Sequence, residues 1–446
     1  MLKRKIDEQF SKWKNTADRK PLIVRGVRQC GKTFSVMNFA KNNYENVVYV
    51  NFVKQEALGL AFKGVKDVDT ILLNLSAAMR NVKFVPGKTC IVLDEIQDCK
   101  DARTALKFFK MDGRFDVIGT GSLLGVKGYG DAKRAKDEEK TASVPVGYEK
   151  IIDMYPLDFE EFLWANGISD DIISEIRKHF NEETPVPDGL HIPMNDLLRK
   201  YAVVGGMPEA VNCFLKTNNI NDVYEVQKDI VEGYKDDMIK YASDEDKPRI
   251  RECFESIPRQ LAKENKKFQY SLVRKGGRSS EYVSSLQWIE DAGIVKRCYN
   301  TSITELPLDG NAINDHFKVY MGDMGLFVSM LEYGTAADIL RGNLLGYKGA
   351  IFENLFADIF SKMGRKLYFF RKDTGLEVDF LMRYKGKCTL VEVKASTGNT
   401  KSCKTILKNH EVYHVDSAIK LGDYNVGRSE NLLTIPFYMA FLLNEP

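Results

Sequence analysis

From Pro21 to Leu157, short apolar runs rich in β-branched residues alternate with segments of helical periodicity. The runs are Leu22-Val24, Val47-Phe52, Cys90-Leu93, Phe115-Ile118 and Ile151-Tyr155. Strands alternating with helices predict a parallel sheet covered on both faces. From Val126 to Ser143 the pattern stops, and mixed charges around Asp131-Lys140 with no apolar stripe predict a solvated loop. Between about Asp158 and Asn300 helical spacing dominates, with a turn-rich gap at Thr184-Gly189. Strands return after Gly342, at Lys366-Phe370, Glu377-Tyr384 and Cys388-Ala395. These shifts place domain boundaries near residues 165 and 345, giving units 1–165, 166–345 and 346–446.

Composition agrees with that division. A chain of 446 residues is long enough for roughly three domains. Hydrophobic residues at 44% and charged residues at 28% exclude collagen-like and disordered classes. Lys plus Arg is 65 and Asp plus Glu is 62, so the net charge of +3 excludes a polycation but leaves room for a local basic face. The eight cysteines contain no C-x-x-C pair and are expected as reduced core thiols. Met1-Leu2-Lys3-Arg4-Lys5 is basic, yet no apolar h-region follows it. The longest apolar stretch, Leu432 to Leu443, is too short for a membrane span and reads as a strand and a packed helix. A cytoplasmic protein with no membrane partner is the expectation.

Candidate chemistry begins at Gly26-Val27-Arg28-Gln29-Cys30-Gly31-Lys32-Thr33, which satisfies G-x-x-x-x-G-K-S/T between a predicted strand and a predicted helix. Glycines let the backbone N–H groups of Gly26, Arg28, Gln29 and Gly31 curl around phosphate oxygens, and the helix N-terminus adds positive potential. Lys32 would reach the β- and γ-phosphates of ATP, and Thr33 would ligate Mg²⁺. Thr89-Asp94-Glu95 is an apolar strand ending in two carboxylates. Asp94 suits the Mg²⁺ shell, and Glu95 suits the orientation or deprotonation of the attacking water. Thr120 and Ser122, at the end of the next strand, are candidates for sensing the γ-phosphate.

Gly26-Thr33, Leu93-Gln97, Gly119-Ser122 and Tyr155-Phe162 together resemble the prokaryotic AAA-type ATPases that carry a C-terminal domain of unknown function. Val204-Glu209 and Tyr320-Leu326 fit the same family. The resemblance covers essentially the whole chain. It implies an AAA-like ATPase core, a helical and winged-helix middle and a nuclease-like tail, and it supplies no substrate. Where many relatives have Gly-Arg before the last core strand, this chain has Gly147-Tyr148-Glu149. Arg103, Arg114 and Arg134 therefore remain unranked as arginine-finger candidates, and formation of a homo-oligomer is left open.

In the middle region, Phe268-Val273, the turn Arg274-Lys275-Gly276-Gly277-Arg278, and a helix carrying Tyr282, Leu286, Trp288 and Ile289 lead to a strand at Ile294-Tyr299. This order predicts a helix-turn-helix with a wing, capped by Ser279 or Ser280 and ended by Gly293. Arg274, Lys275 and Arg278 would contact DNA. Glu281, Glu290 and Asp291 on the helix argue instead for a structural or protein-binding role.

Near the C-terminus, Glu377-Met382 and Cys388-Ala395 are strands joined at Lys385-Gly386. A two-residue hairpin there pairs Tyr384 with Lys387 and sets Asp379 opposite Glu392, with Lys394 on the face of Glu392. Glu353 is an isolated acid on an upstream apolar helix. An acid on a helix, then Asp, then Glu-x-Lys resembles the PD-(D/E)xK nuclease superfamily. That resemblance implies Asp379, Glu392 and Glu353 as hard-oxygen Mg²⁺ ligands and Lys394 as the group that orients water and steadies the phosphate. His410-Glu411-Val412-Tyr413-His414 spells H-E-x-x-H, but no third ligand follows and the chain is leaving a helix. The combined expectation is an α/β protein: an ATP- and Mg²⁺-dependent P-loop ATPase coupled to a restriction-endonuclease-like domain that acts on DNA. The contrasting expectation is a nucleotide-controlled switch or scaffold whose C-terminal domain no longer cuts.

Overall fold

The computed structural model describes residues 1–126, 147–241, 245–263, 266–342, 348–394 and 400–444. Of the loop expected from Val126 to Ser143, Val126 belongs to the short helix Leu123–Val126, and residues 127–143, with Arg134, lie outside the described residues. The N-terminal unit is built on β1 (Leu22–Gly26), β2 (Asn46–Asn51), β3 (Thr89–Asp94), β4 (Asp116–Ser122) and β5 (Lys150–Met154). All neighbours are parallel, in the order β2-β3-β4-β1-β5. Alternate residues face opposite layers. Ile23, Ile91, Leu93 and Val117 pack with the helices Val68–Ala78 and Lys100–Asp112. Leu22, Val24, Cys90, Val92 and Ile118 pack with Ile6–Lys14 and Lys32–Asn43. The order places β4 between the phosphate-loop strand β1 and the Asp94 strand β3.

Helices then dominate as expected, from Phe159–Ala165 to Asp246–Leu261. The helix Ser279–Asp291 buries Tyr282, Leu286, Trp288 and Ile289, and Gly293 at φ +77° ends the turn after it. Its N-terminus is capped by the Glu281 carboxylate, which accepts the Arg278 N–H at 3.1 Å, not by Ser279 or Ser280.

The expected wing is part of a larger sheet. β6 (Val295–Thr301) pairs antiparallel with β7 (Ala312–Met321), and its other edge runs parallel to β8 (Leu367–Arg371). The sheet continues through β9 (Glu377–Tyr384), β10 (Lys387–Lys394), β11 (Ala418–Gly422), β12 (Gly427–Ser429) and β13 (Leu432–Pro436). Its order is β12-β13-β11-β10-β9-β8-β6-β7. Asn300 fastens the seam, donating to Arg371 O at 3.1 Å and accepting from Arg371 N at 2.8 Å. The boundary expected near residue 345 thus falls between strands of a single sheet. The apolar C-terminus is β13 followed by the 3₁₀ turn Phe437–Leu442, whose six residues are buried.

One buried cation joins all three regions. Lys362 Nζ, at the end of the helix Lys348–Lys362, donates to Asp358 Oδ2 (2.9 Å), Tyr201 OH (2.9 Å), Asp323 Oδ2 (3.2 Å) and Leu157 O (3.2 Å). Asp323 also accepts the Gly206 N–H at 2.8 Å, and Leu157 N donates to Gly206 O at 2.7 Å. A Cβ on Gly206 would lie 2.0 Å from Leu157 O, so only glycine admits this approach. The strings around Leu157, Gly206 and Asp323 that carried the family resemblance are the parts of this junction.

The eight cysteines are free, six buried and two partly buried, as core thiols should be. Among the described residues no helix is long and apolar enough to cross a membrane.

Candidate functional site

The phosphate loop leaves β1 at Gly26 and enters the helix Lys32–Asn43 through Gly31 at φ +96°. Lys32 is buried, and its ammonium donates to the loop's own carbonyls, Gly26 O at 3.1 Å and Val27 O at 2.8 Å. Thr33 Oγ1 donates to Asp94 Oδ1 at 2.9 Å, so the hydroxyl and carboxylate expected to share a cation are adjacent. Asp94 also accepts Tyr49 OH (2.6 Å), Asn51 Nδ2 (2.8 Å) and Thr120 Oγ1. Burial and the bond to Asp94 push the Tyr49 phenol up to about 12. Four donors converge on this one buried carboxylate and fix its orientation.

Thr120 therefore helps to orient Asp94. Ser122 Oγ accepts the Gly125 N–H at 3.1 Å and caps the short helix Leu123–Val126. Both hydroxyls are buried because β4 lies directly beside β3. Glu95 sits in the left-handed region at φ +54°, with its carboxylate held by Gln97 Nε2. That turn aims it into a cleft of about 860 Å³, lined also by Gly31, Lys32, Thr33, Pro208, Asn212 and Gly233. The cleft lies between the loop and the helices Pro208–Thr217 and Ile220–Tyr241.

Helix Ile220–Tyr241 grips the loop from outside. Asp237 pairs with Arg28 at 2.6 Å, and Tyr234 OH donates to Arg28 O at 3.2 Å. Arg28 thus gives both its carbonyl and its side chain to the helix, while Gln29 adopts φ +62° within the loop. Sequence reading missed Arg4. Its buried guanidinium supports the loop from beneath, donating to Cys30 O (3.1 Å), Tyr155 O (2.7 Å) and Glu161 Oε1 (3.1 Å). Of the arginine-finger candidates, Arg103 is held in its own chain by Glu149 at 2.8 Å and by Val126 O at 2.7 Å. Arg114 pairs with Asp112 and Asp69.

The C-terminal hairpin turns at Lys385 (φ +48°) and Gly386 (φ +77°), the two-residue turn that suits twisted strands. Tyr384 pairs with Lys387, and the ladder runs in that register to Phe380 opposite Val391. At the next position Asp379 Oδ2 accepts the Val393 N–H at 2.8 Å. Between β8 and β9 the register shifts, since Tyr368 faces Leu381 while Phe370 faces Val378. This bulge lies at Asp379-Phe380 and places Val378 and Leu381 in one apolar layer and Phe380 in the other.

Lys394 Nζ lies 2.8 Å from Glu392 Oε1, and Glu392 Oε2 is buried with no hydrogen-bond partner among the described residues. Burial and the neighbouring Glu353 push the Asp379 carboxyl up to about 7, against Lys394 and Lys318. Asp379, Glu392 and Lys394 thus form one electrostatic group. Glu353 points into the same interior, but its carboxylate is taken by Lys266 Nζ (2.5 Å), Tyr320 OH (2.7 Å) and Lys318 Nζ (3.3 Å). Burial acts to raise its pKa, yet Lys318 and Lys266 outweigh burial and hold it low. Lys318, itself buried, also pairs with Glu377 at 2.8 Å. The expected shell of Glu353, Asp379 and Glu392 is not assembled in this arrangement. Among the described residues no three His, Cys, Asp or Glu side chains converge as metal ligands. The lysines responsible come from the middle region, over a seam that local sequence pattern does not announce.

His410–Tyr413 is a single helical turn and His414 lies beyond it at φ +52°, so the two histidines share no helix face.

Residues 18–163 match the family described as an AAA domain. The N-terminal unit is an AAA-type P-loop domain. Behind this AAA domain, residues 195–337 and 348–438 match two families described as domains of unknown function, DUF8612 and DUF4143. No curated protein matches the chain. Among solved structures, the Walker-type ATPase PABY2304 of Pyrococcus abyssi is similar at 13% identity and TM-score 0.41, over 74% of this chain and 96% of that one. The Aeropyrum pernix ORC1 protein, solved in complex with DNA, is similar at 10% identity and TM-score 0.28, over 76% and 90%.

Proposed function

We propose that this chain binds and hydrolyses ATP with Mg²⁺ and couples the nucleotide to a PD-(D/E)xK-like, metal-dependent nuclease site acting on DNA. The contact between Thr33 Oγ1 and Asp94 Oδ1 carries the ATPase half. Their hard oxygens fit Mg²⁺, which would neutralise phosphate charge when bound. Lys32 exchanges its loop carbonyls for phosphate oxygens, and Glu95, aimed into the same cleft, accepts the proton of the attacking water. Because Asp237 and Tyr234 hold the phosphate loop, nucleotide contacts bear directly on the helical region.

At the C-terminal site the buried, unpartnered Glu392 Oε2 and the partly charged Asp379 are hard donors suited to a divalent cation, and Lys394 stands beside them to hold water or phosphate. The exposed turn Arg274-Lys275-Arg278 adds a basic contact on a winged-helix-like unit. The alternative, a nucleotide-controlled switch with an inactive C-terminal domain, is favoured by one observation: Glu353 is already neutralised by two lysines.

The deciding experiment measures ATP hydrolysis and Mg²⁺-dependent cleavage of plasmid and single-stranded DNA by the full chain, with and without ATP. Hydrolysis together with cleavage that Asp379→Asn abolishes supports the first reading. Hydrolysis without cleavage under any condition favours the switch. Absence of ATP binding removes both.

A further inference from the structure

The helix Lys401–Lys408 lies against the sheet layer that holds Glu392. Its inner side is Cys403 and Ile406, both buried with Val378, Leu381 and Leu390. Its outer side is Lys401, Lys404 and Lys408, all exposed. Steps of three and four residues put these lysines on one face, over a span of about 10 Å at ~1.5 Å per residue. None of the three ammonium groups has an ion-pair or hydrogen-bond partner among the described residues.

The local charge is far from the balance of the chain. Between Tyr384 and Glu411 there are six lysines and one carboxylate, Glu392, whereas the whole chain has 65 basic and 62 acidic residues. A solvated helix face ordinarily mixes both signs, and this helix carries only one. Its position is equally specific. Cys403, between two of the lysines, adjoins Glu392, and Ser402 Oγ accepts the Glu377 N–H at 3.5 Å. The first turn of the helix that carries the lysine row therefore lies beside Asp379, Glu392 and Lys394. The basic turn at Arg274-Lys275 differs, because the cavity it lines, about 390 Å³, also contains Glu245, Glu252 and Glu281.

We infer that Lys401, Lys404 and Lys408 form the track that holds the phosphate backbone of a nucleic acid against the Asp379–Glu392–Lys394 site. The inference rests on the nuclease-like reading above. A row of about 10 Å spans several phosphates of a strand rising ~3.4 Å per nucleotide. Three such contacts position a strand without reading its sequence, so binding is salt-sensitive and tolerant of sequence.

The test uses the full chain, fluorescently labelled single-stranded and duplex DNA, and EDTA to prevent cleavage, with the binding constant measured against salt concentration. In the triple variant Lys401→Gln/Lys404→Gln/Lys408→Gln the slope of log Kobs against log salt should fall by about 2–3, with affinity at low salt reduced tenfold or more. The triple arginine variant should restore the slope. The same glutamine changes at exposed Lys54, Lys63 and Lys66 of the AAA domain should leave it unaltered, and ATP hydrolysis by each variant checks the fold. An unchanged slope in the first variant overturns this inference alone. Absence of binding by the unmodified chain overturns the nucleic-acid reading together with it.

Discussion

Asp323 Oδ2 lies 3.2 Å from Lys362 Nζ, and both side chains are buried. Asp323 comes from the middle region and Lys362 from the helix that also carries Glu353. The same ammonium reaches Leu157 O, just beyond the last strand of the AAA domain. The chain just past β5 and the C-terminal helix are therefore tied together through one hydrogen-bonded cation.

The tightest part of this junction is Gly206. A methyl group there meets the Leu157 backbone at 2.0–2.9 Å, and backbone cannot move aside as a flexible side chain can. Gly206→Ala should destabilise the chain by about 1–3 kcal/mol or more. Gly189→Ala, in a helix with open space around it, should be neutral or slightly stabilising. Thermal unfolding of the two variants reads the contrast, and equal melting temperatures would contradict it.

Burial, together with the nearby Asp323, pushes the Asp358 carboxyl up to about 7 in spite of Lys362. A single ammonium does not offset the burial of Asp358 next to a second carboxylate, so Asp358 holds its proton to a higher pH than an ordinary carboxyl. Because the folded value exceeds the ordinary 3.8, the stabilisation is complete below about pH 3.8 and is lost as pH rises through 7. Asp358→Asn mimics the protonated group at every pH. Its stability in urea should decline less than that of the parent chain between those two values. Parallel pH profiles would show that Asp358 is not the titrating group.

At the nucleotide cleft, Lys32→Ala should weaken ATP binding by about 10–100-fold, the equivalent of one lost hydrogen bond to a charged partner. Glu95→Gln spares Thr33 and Asp94, so it should keep binding and lower hydrolysis by about 10²–10⁴-fold. Calorimetric titration and phosphate release separate these effects. Undiminished hydrolysis by Glu95→Gln would move the base elsewhere.

Lys394→Ala removes the cation that pairs with Glu392. Cleavage should fall by about 10²-fold or more, while Mg²⁺ binding is kept or strengthened, since a nearby positive charge opposes a second cation. Cleavage that survives this change would count against the nuclease-like assignment.

The features that were legible in the sequence are short-range. Strand alternation fixed both layers of the AAA sheet, and the Lys385-Gly386 turn fixed the pairing of Tyr384 with Lys387 because two left-handed residues specify a hairpin locally. What escaped depends on distant partners. Arg4 serves Cys30 and Glu161, 26 and 157 positions away. Lys266 and Lys318 reach Glu353 from 87 and 35 positions before it. The bulge at Asp379-Phe380 has no glycine to mark it, and Thr120 looks the same in sequence whether it faces a phosphate or Asp94.

The β6–β8 pairing also limits how such chains can be recombined. Recognisable family segments end at 337 and resume at 348, yet the hydrogen-bonded sheet crosses that gap. A module lifted out at Lys348 would carry a raw β8 edge, prone to pair with other chains, and would leave Glu353 without Lys318 and Tyr320. A graft of this end of the molecule onto another ATPase would therefore have to bring the hairpin of β6 and β7 with it to keep the β8 edge paired.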